Sequence, residues 1–132
     1  MKSMKIIIRL LFVTFMTTSF TTLTIAQSIE GDWYGKANVM GTDLRINLHI
    51  KPSGNVYTCT WDSPDQGGFG LQATTTTFTY PDFAFTYDEA GIKYTGKVDP
   101  GYTEIKGILY QSGQKFDILF GRKEIPATPV NK

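Results

Sequence analysis

The chain is expected to be all-β: about eight short strands in an antiparallel meander, closed into a barrel. Three observations carry this expectation. Apolar residues recur at every second position through most of the chain, the period of a strand with one buried and one wet face. Turn-forming clusters punctuate those runs every 8–12 residues. No segment after residue 26 has helical spacing.

The elements follow in order. Residues 1–26 are set apart from the fold. Lys2, Lys5 and Arg9 give a basic start, an apolar and Thr-rich run follows, and Thr24-Ile25-Ala26 precedes Gln27 as a small-residue cleavage site. This is the pattern of a secretory signal peptide. A transmembrane anchor fits less well, because Arg9 and six threonines shorten the apolar stretch. Export to the periplasm or medium is therefore expected, with no membrane span after cleavage.

In the first strand, Ile29, Trp33, Ala37 and Val39 share a face. In the second, Leu44, Ile46, Leu48 and Ile50 alternate with Arg45, Asn47, His49 and Lys51. Pro52-Ser53-Gly54-Asn55 is a turn. Tyr57, Cys59 and Trp61 form the inner face of a third strand. A loop-like stretch from Trp61 to Gly70 follows. Leu71 to Phe78 is Thr-rich, which suits a strand but defines no face. Phe83, Phe85 and Tyr87 make a short aromatic strand, and Asp88-Glu89-Ala90-Gly91 turns the chain. Ile92, Tyr94 and Val98 continue, Asp99-Pro100-Gly101 turns again, and Ile105 to Tyr110 is apolar on both faces. After Gln111-Ser112-Gly113-Gln114, Phe116, Ile118 and Phe120 close the series. Residues 27–122 form one domain, and 123–132, with Pro126 and Pro129, read as a tail or linker.

Composition excludes several functions. Three of the 13 basic residues lie in the leader, leaving 10 against 12 acidic ones. There is no basic stripe for nucleic acid. One Cys and one His cannot build a closed zinc site, and no cofactor is expected. Cys59 has no disulfide partner, and its strand phase predicts a buried, inert thiol.

The chemistry-bearing stretch is Trp61-Asp62-Ser63-Pro64-Asp65-Gln66-Gly67-Gly68-Phe69-Gly70. Ser63 with His49 could form a nucleophile–base pair only if folding brought them together. Ser63-Pro64-Asp65 reads more simply as a turn whose hydroxyl and carboxylates bond backbone N–H groups. Asp62 and Asp65, three positions apart, are poorly placed to face each other across a sugar and fit no calcium loop. The glycines do not follow a phosphate-cradle order. Trp61, Asp62, Ser63, Asp65, Gln66 and Phe69 are the candidate binding residues, with no catalytic residue and no metal ligand among them. Tyr34, Tyr80, Tyr102 and Tyr110 are candidates for a sugar or partner surface.

Trp33 near the start and Arg122 at the end of the last strand would meet in a closed meander, guanidinium over indole. Gly31-Asp32-Trp33 resembles the Gly-x-Trp signature of lipocalins, which a late Arg accompanies; that resemblance implies a carrier of a small apolar ligand. A longer resemblance rests on Gly31-Asp32-Trp33-Tyr34-Gly35-Lys36, on Leu44 to Ile50, on Asp62-Ser63-Pro64-Asp65-Gln66-Gly67, on Ile105-Lys106-Gly107 and on Gln111 to Gln114. Their order is similar to the small β-domain at the N-terminus of exported bacterial α/β-hydrolases of the serine aminopeptidase type. That resemblance covers about residues 29–122. It implies a non-catalytic accessory or interaction domain, a partner that is an exported hydrolase or another periplasmic protein, and a chain that is a free-standing copy or a truncated product.

Overall fold

The computed structural model describes residues 27–127. The expected leader, residues 1–26, and the tail's last five residues lie outside the described residues. Nine strands run antiparallel in one curled sheet: β1 (Gly31–Val39), β2 (Thr42–Ser53), β3 (Val56–Ser63), β4 (Gly68–Gln72), β5 (Thr75–Thr79), β6 (Asp82–Tyr87), β7 (Ile92–Val98), β8 (Glu104–Gln111) and β9 (Gln114–Gly121). Their order in the sheet is β4-β3-β2-β1-β9-β8-β7-β6-β5. First and last strands are neighbours, Tyr34 opposite Gly121, so the meander rolls into a half-barrel with β4 and β5 as its two edges.

Nine strands replace the expected eight because the Thr-rich run is two strands. Ala73 is buried and its N–H bonds the Cys59 carbonyl at 2.9 Å, while Thr74 N–H bonds the Thr86 carbonyl at 2.7 Å. The chain thus leaves one sheet edge and joins the other within two residues. This corner is invisible in the sequence, since threonine suits a strand on either side of it.

Elsewhere the period-two pattern places the core as expected. Trp33, Leu48, Ile50, Cys59, Phe83, Phe85, Tyr94, Ile105, Ile118 and Phe120 are essentially inaccessible. The largest of these crowd one end of the barrel. Tyr94 meets Phe120 edge-to-face at 5.1 Å, a favoured geometry for two rings. Its hydroxyl donates to the Ile118 carbonyl at 3.1 Å. It reaches that far because Gly96 and Gly107 face each other across β7 and β8. A Cβ on Gly96 would stand 2.8 Å from the Tyr94 hydroxyl and from Ile105, so a side chain there would evict the ring. Burial raises the Tyr94 pKa, and its proton stays in this bond.

Beyond β9, residues 123–127 have no regular structure. Ile125 is half-buried and borders an outer groove with Lys36, Lys106 and Leu119, so the start of the expected linker lies against the barrel.

Candidate functional site

The rolled sheet has two unlike ends. At one, strand termini 29–33, 52–57, 78–83 and 99–105 converge and are sealed. Arg122 lies with its guanidinium carbon 3.5 Å from the Trp33 ring centroid. Its nitrogens donate to the carbonyls of Ser28 at 2.7 Å, Glu30 at 3.0 Å and Tyr102 at 3.1 Å. The Trp33 indole N–H donates to the Ile29 carbonyl at 2.9 Å. One cation therefore ties the N-terminal segment, the β7–β8 turn and β9 together over an indole face. Desolvation pulls the Arg122 pKa downward, against the nearby Asp32 and Asp99. The expected pairing of Trp33 with Arg122 is present. Tyr102 and Tyr80 belong to this seal: their rings lie 5.6 Å apart, with Phe78 6.4 Å from Tyr102, and Tyr80 remains 47% exposed. Tyr34 and Tyr110 are half-buried on the barrel wall, Tyr110 beneath the Lys115 ammonium, so the four tyrosines do not form one surface.

The stretch from Trp61 to Gly70 is not a loose loop. Trp61, Asp62 and Ser63 extend β3; Pro64–Gln66 is a single 3₁₀ turn ended by Gly67 at φ 74°; Gly68 begins β4 and pairs with Ser63 across a bulge. Strand alternation then divides the candidates between two faces. Asp62 points outward and Ser63 inward, where it is 5% exposed and donates to Gln66 Oε1 at 2.7 Å. The expected hydroxyl-to-backbone bond is replaced by this side-chain pair.

On the outer face, His49 of β2 stands between β1 and β3. Its Nδ1 is 2.7 Å from Asp32 Oδ1 and its Nε2 2.7 Å from Asp62 Oδ2. Two carboxylates on one imidazole favour the doubly protonated ring. Burial pulls the His49 pKa down, but the bonds to Asp32 and Asp62 outweigh it and raise it above the ordinary value. The other oxygen of Asp62 accepts from Gly70 N–H at 2.7 Å. Nearby, Asp65 accepts from the Arg45 backbone N–H at 2.8 Å and from its guanidinium at 2.9 Å. The Arg45 bonds hold the Asp65 carboxyl below the usual range. His49 and Ser63 thus lie on opposite faces of the sheet, which removes the nucleophile–base pair. Cys59 is inaccessible as expected, and desolvation pushes its thiol up to about 12.

The second end is open. The turns at 40–41, 64–67, 88–91 and 112–113 surround a cup of about 350 Å³. Its wall is apolar: Ala37, Val39, Leu44, Ile46, Trp61, Phe85, Ile92, Leu109 and Phe116, with Ala90 at the rim. Its polar groups are Ser63, Gln66, Gln111, Ser112 and Gln114, all neutral. The Trp61 indole N–H is buried without a hydrogen-bond partner, its ring edge-to-face with Tyr87 at 5.2 Å. Of the sequence-level candidates, Trp61, Ser63 and Gln66 line this cup. Asp62 and Asp65 do not, and Phe69 is 66% exposed on β4. Gln111, Ser112 and Gln114 read locally only as a turn; their place at the mouth depends on how the strands roll up.

Among the described residues no three His, Cys, Asp or Glu side chains are grouped to hold a metal ion, and no helix is long and apolar enough to cross a membrane. Compared with family models, curated proteins and solved structures, the chain matches none.

Proposed function

We propose that this protein is a non-catalytic, exported carrier that holds one small apolar or amphipathic molecule in the open end of its half-barrel. The observation behind this reading is the cup: about 350 Å³, within the range of small-molecule sites, with an apolar wall and a few polar groups at its mouth. Eight- to nine-stranded barrels are wide enough to hold one such ligand. The Gly-x-Trp resemblance and the sealed Trp33–Arg122 end agree with it. The separation of Ser63 from His49 favours binding over hydrolysis. Native mass spectrometry of the protein, purified without detergent from an exporting host, tests it. The expected spectrum shows an added mass of a few hundred daltons that organic solvent releases; a bare polypeptide, unchanged when small apolar molecules are added, would overturn it.

A second reading rests on Phe69. This ring is two-thirds exposed, beside carboxylates already engaged by His49 and Arg45. An exposed aromatic on the edge strand that follows a braced turn suits a protein contact. It fits the resemblance to accessory domains of exported serine hydrolases. Phe69→Ser should leave the melting midpoint unchanged and abolish capture of a secreted hydrolase. Equal capture by both forms would rule the turn out as the contact.

A further inference from the structure

The lining of the cup specifies more than size. The cup's 350 Å³ lies near the lower end of small-molecule sites and suits a short ligand. None of its lining residues is charged. An ion entering it would give up hydration with no counter-charge, a cost of several kcal/mol in an apolar setting. Charges just outside the lining reinforce this for anions. Asp88 and Glu89 sit in the rim turn that carries Ala90, while Asp43 and Asp65 are already paired with Lys36 and Arg45.

The polar groups at the mouth are amides with part of their capacity unused. Gln66 accepts the Ser63 hydroxyl through Oε1, and its NH₂ has no partner among the described residues. Gln111 donates through Nε2 to the Ala90 carbonyl at 3.3 Å, which leaves its Oε1 as an acceptor. The Gln114 side chain has no partner among the described residues. The mouth therefore offers both a donor and an acceptor, neither charged, above an apolar wall.

We infer that the ligand is an uncharged amphiphile: a short aliphatic or aromatic body seated against Leu44, Ile46 and Phe85, and a neutral head that both donates and accepts, an amide foremost, held by Gln66, Gln111 and Gln114. This rests on the carrier reading and assigns the ligand class of the same cup. Gln66 and Gln114 are exposed at the mouth, so the discrimination falls mainly on a charge drawn toward the apolar wall below them.

The test titrates the ¹⁵N-labelled protein with octanamide, octanoate and octylammonium, each below its micellar concentration. The two indole N–H resonances serve as reporters: Trp61 lines the cup, and Trp33 lies under Arg122 at the sealed end. Octanamide is expected to shift Trp61 and leave Trp33 in place, with an affinity at least about tenfold above that of either ion. Gln111→Leu with Gln114→Leu should weaken octanamide several-fold and narrow that preference, while octanamide still binds through its chain and through Gln66. Octanoate or octylammonium binding as tightly as octanamide, or octanamide affinity unaltered by the double substitution, would overturn the neutral-head inference and leave the carrier standing. Failure of all three probes to move Trp61 at millimolar concentration would remove the carrier reading with it.

Discussion

The two ends of this barrel are made from the same strands, yet they solve opposite problems. At the sealed end, Trp33, Phe83, Tyr94 and Phe120 are essentially inaccessible, and one guanidinium collects four carbonyls above them. At the open end the same strands turn inward Ala37, Val39, Ile46 and Leu109 beside the larger Trp61, Phe85 and Phe116, and a cup of about 350 Å³ is left between them. How the side chains of the inner face fill the space thus decides where the interior is solid and where it is hollow. A single inner face can supply stability at one end and a binding volume at the other.

Substitutions at the two ends should therefore differ in kind. The largest effect is expected from Trp33→Ala, about 3–5 kcal/mol by urea unfolding, because the ring is fully buried. A loss below about 1 kcal/mol would mean that the sealed end is not the stabilising one. Arg122→Ala should cost about 1–3 kcal/mol, since it removes the ion over the indole and the donor to several carbonyls. An unchanged midpoint would count against the closure. Leu44→Ala, at the cup, removes a half-buried side chain and should cost only about 1 kcal/mol, while it enlarges the cup and weakens ligand binding. A loss as large as at Trp33 would show the cup to be core.

The smallest effect is a change of slope with pH, and it lies on the outer wall. The folded-state pKa of His49 is raised above its unfolded value by Asp32 and Asp62. Its stabilisation is fully present below the unfolded pKa of about 6.5 and is lost as pH rises through the higher folded value. His49→Asn should flatten the pH dependence of the unfolding midpoint over that window. A variant as pH-sensitive as the parent would assign the effect elsewhere.

What could be read from the sequence follows from how local the controlling physics is. Strict alternation in Leu44–Ile50 determined both the strand and its buried face, and the distant Trp33–Arg122 contact followed from closure alone. The run from Trp61 to Gly70 reads as a loop because its composition is that of a turn. Only three of its residues form the 3₁₀ segment, and alternation along β3 sends Asp62 and Ser63 to opposite faces. The His49 contact with Asp32 depends on the β1–β2 register, Asp32 opposite His49, which no pattern within either strand specifies. The cup is harder still. Its lining comes from β1, β2, β3, β6, β7, β8 and β9 and three turns, so no contiguous segment carries its signature.

The corner at Ala73–Thr74 has a consequence for behaviour at high concentration. It leaves the rolled sheet with two free margins, β4 and β5, each only five residues long. Unpaired margins invite a neighbouring molecule to add a strand, and short ones offer few bonds to any that tries. Glycine at two of its five positions, Gly68 and Gly70, further weakens β4 as a template. The gap that lets this sheet roll up without joining its ends is therefore also too brief to seed stacking between molecules.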